Sequence, residues 1–125
     1  MYIIDTHVLL WMLSSPEKLS DKIFEILKNE NAVFVSIVSL WEIAIKQNLN
    51  KLDLPFLPSK LADICIERNI KIIPISPEHL DLLKTLPFIH NDPFDRLLIA
   101  QAKNLNATLI TKDTFIPQYD IKTLW

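Results

Sequence analysis

The feature that most constrains this chain is an alternation. Short runs rich in β-branched residues take turns with segments that carry a helical pattern. Residues 2–4, 32–38, 71–75, 107–111 and 121–124 read as strands. Residues 6–13, 19–27, 39–47, 59–68 and 93–104 read as helices, and Ser76-Pro77-Glu78 reads as the start of another. Strand followed by helix, repeated, predicts an α/β fold with a central parallel sheet and helices on both faces. In such sheets ligands bind at the carboxyl ends of the strands.

Glycine is absent. That excludes the Walker phosphate loop, the dinucleotide fingerprint and the EF-hand loop, each of which needs glycine where the backbone turns sharply or approaches a phosphate. Asparagines stand at the predicted helix ends instead: Asn48, Asn50, Asn69, Asn104 and Asn106. Asparagine tolerates the left-handed conformation better than other non-glycine residues. The length of 125 residues predicts one domain, residues 1–125, large enough to bury a core. One cysteine, Cys65, excludes an internal disulfide and any multi-cysteine zinc site. No apolar run reaches membrane-spanning length, and the opening residues carry no signal-peptide pattern. The expectation is a reducing, cytoplasmic location without a membrane partner. A formal net charge of −2 gives no bulk attraction to nucleic acid. Any such partner needs a local basic patch, or metal ions held by acids.

The acids are placed informatively. Asp5 follows the first strand. Asp113 lies just past the 107–111 strand. Glu42 and Asp95 sit on the first turns of two helices. Strand ends, and the helix starts that follow them, share one edge of a parallel sheet. The Asp95 helix joins them only if the loop before it, residues 86–92, returns to that edge. Two carboxylates about 4 Å apart repel by roughly 4 kcal/mol at an effective dielectric near 20, so a cluster takes up protons or binds a cation. Oxygen-only donors select hard ions, so Mg²⁺ or Mn²⁺ is expected. Such a site activates water and clamps a phosphodiester for in-line displacement.

Each acid also has a plain structural reading. Asp5 can cap the helix that begins at Thr6. Glu42 precedes Lys46 by four residues, the spacing of a helical ion pair, although its other neighbours are apolar. In Asp92-Pro93-Phe94-Asp95, Asp92 is a helix cap with proline at the first helical position, and Asp95 can complete the cap. Asp113 can be a turn residue. The functional reading rests on all four reaching one edge.

Four blocks resemble a known family. They are Ile3-Ile4-Asp5-Thr6-His7-Val8-Leu9-Leu10-Trp11, Ser39-Leu40-Trp41-Glu42-Ile43-Ala44-Ile45-Lys46, His90-Asn91-Asp92-Pro93-Phe94-Asp95-Arg96-Leu97-Leu98-Ile99-Ala100-Gln101-Ala102 and Leu109-Ile110-Thr111-Lys112-Asp113. In order and spacing they resemble the PIN-domain ribonucleases, and among these the VapC-type toxins of bacterial toxin–antitoxin pairs. The resemblance runs through essentially the whole chain. It implies a three-layer α/β/α sandwich and Mg²⁺- or Mn²⁺-dependent endonucleolytic cleavage of RNA. It implies an acidic, metal-binding quartet, here Asp5, Glu42, Asp95 and Asp113. A homodimer and a cognate antitoxin that covers the site are also implied. Relatives commonly carry a glycine after the Glu42 helix, where this chain has Asn50.

Other residues have two readings each. Thr6, Ser39 and Thr111 stand beside the acids and either orient water or phosphate, or cap backbone. Arg96 either balances the acids or forms a structural ion pair. Lys46 and Lys112 either meet RNA phosphates or are solvated. His7 and His90 lack metal-ligand spacing and are expected to hydrogen-bond locally. Trp11, Trp41 and Phe94 are expected in the core, while Phe88 and Tyr119 are candidates to stack on an unpaired base. Two rival functions remain: a non-catalytic RNA- or protein-binding module on the same fold, and a Mg²⁺-dependent phosphatase. The phosphatase needs a second aspartate two residues after Asp5, where this chain has His7.

Overall fold

The computed structural model describes residues 1–125. Five parallel strands form one sheet: β1 Tyr2–Ile4, β2 Val33–Ser36, β3 Lys71–Ile73, β4 Thr108–Ile110 and β5 Lys122–Leu124. Their order is β3-β2-β1-β4-β5. Ile4 pairs with Val35 on one side and Ile110 on the other. The chain builds outward from β1 through β2 and β3, then returns to place β4 on the other side of β1. The order therefore reverses between β1 and β4, and a crevice opens there at the carboxyl ends.

Six helices cover the sheet: α1 Thr6–Ser14, α2 Asp21–Asn29, α3 Ile37–Asn48, α4 Pro58–Glu67, α5 Pro77–Thr85 and α6 Pro93–Asn104. Because side chains alternate along a strand, Ile3 and Leu109 face one layer while Ile4 and Ile110 face the other. The first pair packs with Leu98, Ile99 and Ala102 of α6 and with Leu82 and Leu83 of α5. The second pair packs with Val8 and Leu9 of α1, Ile23 of α2, Ile43 of α3 and Leu61 of α4. The result is the expected three-layer α/β/α sandwich, and both cores read from the sequence as alternating apolar positions. Cys65 is buried on the α4 side, and burial pushes its thiol pKa up. No helix is long and apolar enough to cross a membrane.

Some boundaries differ from the sequence reading. The second strand stops at Ser36 rather than 38, because the Ser36 hydroxyl accepts the Val38 N–H and starts α3. The third stops at Ile73, since Pro74 has no N–H for the ladder. Helix α2 runs Asp21–Asn29, with Ser20 as the cap. Short 3-10 turns at Pro16–Lys18 and Ile116–Gln118 were not expected from the pattern. Trp41 is not core: it is half-exposed and meets Phe94 edge-on.

The missing glycine is answered by three asparagines. Asn50, Asn69 and Asn106 have φ of 55°, 61° and 50°. Each follows the C-cap of α3, α4 or α6. Lys51 N–H donates to the carbonyl of Lys46, Ile70 N–H to that of Cys65, and Ala107 N–H to that of Ala102. Asn50, Asn69 and Asn106 themselves donate to Gln47, Ile66 and Lys103. That paired pattern is the Schellman motif, used three times with asparagine where glycine usually stands. Asn48 and Asn104, also expected to take this role, are instead the last helical residues of α3 and α6.

Candidate metal centre

The crevice between β1 and β4 collects acids from three parts of the chain. Asp5 leaves β1 and caps α1, accepting the Val8 N–H at 2.9 Å through Oδ1. Its Oδ2 accepts the hydroxyl proton of Thr111, which sits just past β4. Asp113 lies two residues further on. Its Oδ1 accepts the N–H groups of Phe115 and Ile116. Asp95 stands on the first turn of α6, whose cap is Asp92. Asp5, Asp95 and Asp113 line one cleft of about 300 Å³, together with His7, Trp11 and Lys112.

The loop before α6 does return to that edge, and Arg96 holds it there. The buried guanidinium donates to the carbonyls of Leu86 at 3.2 Å and Pro87 at 2.8 Å, and to the Tyr119 hydroxyl at 3.2 Å. The Tyr119 hydroxyl donates to Pro87 and accepts the N–H groups of Ile89 and His90. Arg96 therefore takes its structural reading, though against carbonyls rather than an acid. Tyr119 is buried in this clamp and does not offer a face to a base. Phe88 is exposed, with the Arg96 guanidinium 4.1 Å from its ring centre.

Glu42 sits at the flank of the cleft. Its Oε1 accepts the Thr6 hydroxyl at 2.8 Å, and its Oε2 meets the Lys46 ammonium at 2.7 Å. A carboxylate only accepts, so Thr6 spends its proton on Glu42, and the 2.9 Å contact between Thr6 and Ser39 uses the Ser39 proton. The helical ion pair is present; Glu42 does not line the cleft with the other three acids, although its charge is felt at Asp95.

His90 is the residue that spacing alone did not reveal. Its Nε2 lies 3.1 Å from Oδ2 of Asp95 and 3.1 Å from Oδ2 of Asp113. One ligand-type atom from each of the three falls within 4.8 Å of the others. The ring is nevertheless a poor metal ligand here. The Asp92 N–H donates to Nδ1 at 3.1 Å, and a backbone N–H can only donate. Nδ1 therefore offers its lone pair, and the proton sits on Nε2. His90 is an N–H donor shared by two carboxylates. No sequence signal marks this, because only the fold brings residue 90 to residue 113.

The electrostatics favour a cation. Burial pushes Asp95 up to about 7; Asp92, Asp5 and Glu42 add to the rise, and His90 opposes it. Burial also raises Asp5, more than the Thr111 and Val8 hydrogen bonds lower it. Asp113 runs the other way. Burial pushes it up, but the Ile116 and Phe115 N–H groups and His90 outweigh that and hold it below the usual carboxylate range. Oxygen donors of this charge fit a hard divalent ion such as Mg²⁺ or Mn²⁺.

The sequence of the PIN domain family matches residues 2–122. The chain belongs to that family. PIN domains are in general nucleases that use divalent metals. This PIN domain also resembles solved structures in fold. VapBC2 from Rickettsia felis, bound to a DNA fragment from its promoter, superposes with a TM-score of 0.71 at 19% identity, covering 98% of this chain and 96% of that one. FitAcB from Neisseria gonorrhoeae gives 0.70 at 16% identity, covering 100% and 97%. FitAB bound to an IR36 DNA fragment gives 0.66 at 18% identity, covering 99% and 94%. No curated protein gives a significant sequence match.

Proposed function

We propose that this PIN domain is a Mg²⁺- or Mn²⁺-dependent endoribonuclease and the toxin of a toxin–antitoxin pair. One observation carries the reading: Asp95, raised to about 7, faces Asp5 and Asp113 in the crevice where the strand order reverses. A half-buried acid held that high at neutral pH calls for a proton or a cation. Asp5 and Asp95 are assigned as the central ligands, with Glu42 and Asp113 completing the set. When bound, the divalent ion lowers the pKa of a water and neutralises charge on the scissile phosphodiester. Val8 and Thr111 hold Asp5, the α6 cap holds Asp95, and Thr6 with Lys46 holds Glu42.

The toxin reading draws on the resemblance of the four sequence blocks to VapC-type toxins and on the likeness in fold to VapBC2 and FitAB. With it come a cognate antitoxin as partner, a homodimer and a cytoplasmic location. The test is to incubate the purified chain, free of any antitoxin, with total cellular RNA in Mg²⁺, Mn²⁺ or EDTA. Discrete cuts that need the metal are expected. Intact RNA in every condition would contradict the reading.

A further inference from the structure

The cleft that holds Asp5, Asp95 and Asp113 has a second wall, and it is aromatic. His7 and Trp11 stand four residues apart on α1, so their rings share one face of the helix. The ring centres are 5.9 Å apart and tilted by 48°. Behind them, Trp125 meets Trp11 edge-on, with centres 5.6 Å apart. Lys112 holds its ammonium 5.8 Å from the centre of the Trp125 ring. His7, Trp11 and Lys112 line the same cleft as the carboxylates.

This wall does what the acids do not. The carboxylates and an ion held by them address the phosphodiester, which every nucleotide shares, so contact with the base has to come from elsewhere in the cleft. A nucleobase offers a neutral apolar face, and an indole is a good surface for it. Trp11 is half-buried, anchored in the α1–α4 core on one side while lining the cleft. Because Trp125 already braces it, little side-chain freedom remains to be lost on binding. Lys112 supplies a cation for the neighbouring phosphate.

We propose that Trp11, braced by Trp125 and flanked by His7 and Lys112, is a stacking site for one unpaired nucleobase beside the phosphate that the carboxylates address. The proposal rests on the nuclease reading for the identity of the substrate. A base in a duplex has both faces covered by its neighbours, so the site selects single-stranded RNA. It tolerates any base, since every base has a flat π-face.

The test uses Asp5→Asn protein, to suppress cutting, in the presence of Mg²⁺. It is titrated with short single-stranded oligoribonucleotides and with abasic ribose–phosphate strands of the same length, followed by tryptophan fluorescence. The base-containing strand is expected to bind roughly 10- to 100-fold more tightly than the abasic one, and to quench the emission. A further Trp11→Ala change is expected to abolish that preference, and Trp11→Phe to keep most of it. Equal affinity for the two strands in protein with Trp11 intact would overturn the proposal, whether or not the alanine variant folds. So would an undiminished preference in a folded Trp11→Ala protein. RNA cutting is read separately, on protein with Asp5. Cutting without a base preference removes the stacking site alone. A Trp11-dependent preference without cutting removes the nuclease reading and keeps the site.

Discussion

The Asp92 N–H donates to Nδ1 of His90, and this hydrogen bond fixes the chemistry of the ring. With Nδ1 accepting, Nε2 carries the proton that Asp95 and Asp113 share. His90 thus positions carboxylates and is not itself a ligand. His90→Ala should weaken Mn²⁺ binding by about tenfold, as loss of an outer hydrogen bond to a ligand commonly does. His90→Gln, which can still present an N–H, should recover part of the loss. Titration calorimetry with Mn²⁺ on folded protein checks both. A gain in affinity on removing the ring would show that His90 competes with the ion.

The raised Asp95 makes metal binding pH-dependent in a defined direction. Below about pH 7 the carboxyl holds a proton that the cation must displace. Apparent Mn²⁺ affinity should therefore rise with pH, by up to tenfold per pH step of one, and level off above about 7. Calorimetry at pH 6 in buffers of different ionisation heat should show a proton released on binding.

The same group links pH to the stability of the metal-free protein. Its folded pKa of about 7 lies above the unfolded value of 3.8. Between those values the folded state binds more protons than the unfolded one, so this contribution to stability falls as pH rises. It is fully present below about pH 4 and lost as pH passes 7. The Asp95→Asn variant should lose this part of the slope in Tm against pH between 4 and 7. Mn²⁺ should raise the Tm of the unmodified chain most at pH 7 and above.

Arg96 donates to three carbonyls of the loop that carries His90, those of Leu86, Pro87 and His90 itself, and to the Tyr119 hydroxyl beside it. A lysine cannot reproduce that fork. Arg96→Lys should cost about 2–4 kcal/mol, because buried carbonyls lose their donors. Urea unfolding measures it. A change within about 0.5 kcal/mol would mean that the clamp does not carry the loop.

Asn106 ends α6 with positive φ. Asn106→Ala should destabilise the chain by about 1 kcal/mol, while Asn106→Gly should be close to neutral. Thermal unfolding of the two variants separates a backbone effect from a lost side-chain contact.

Much of this was legible in the residues themselves. The β-branched runs and helical periods gave the layers, because burial on a sheet and burial on a helix impose different repeats. The asparagines at 50, 69 and 106 announced helix ends, although Asn48 and Asn104 carried the same signal without the conformation. Asp5 and Asp113 were legible together, because an α/β sheet sends strand ends to one edge; Asp95 depended on the return of the loop at 86–92, and Glu42, read with them, does not line the cleft. His90 and the Trp11–Trp125 contact were not. Both depend on the path of connecting segments, which no local repeat encodes. Arg96 was ambiguous for a related reason: its partners are carbonyls of a loop whose course is set by packing.

If the clustered carboxylates cut RNA through a divalent ion, Asp5→Asn should abolish the cutting and spare the fold. The asparagine can keep the cap on Val8 and removes a buried charge that the fold holds at a cost, so the variant should melt at or slightly above the temperature of the unmodified chain. On an RNA that the unmodified chain cuts in Mn²⁺, the folded variant is predicted to leave no cleavage products. Cutting by folded Asp5→Asn at the unmodified rate would mean that the carboxylates do not carry the cleavage.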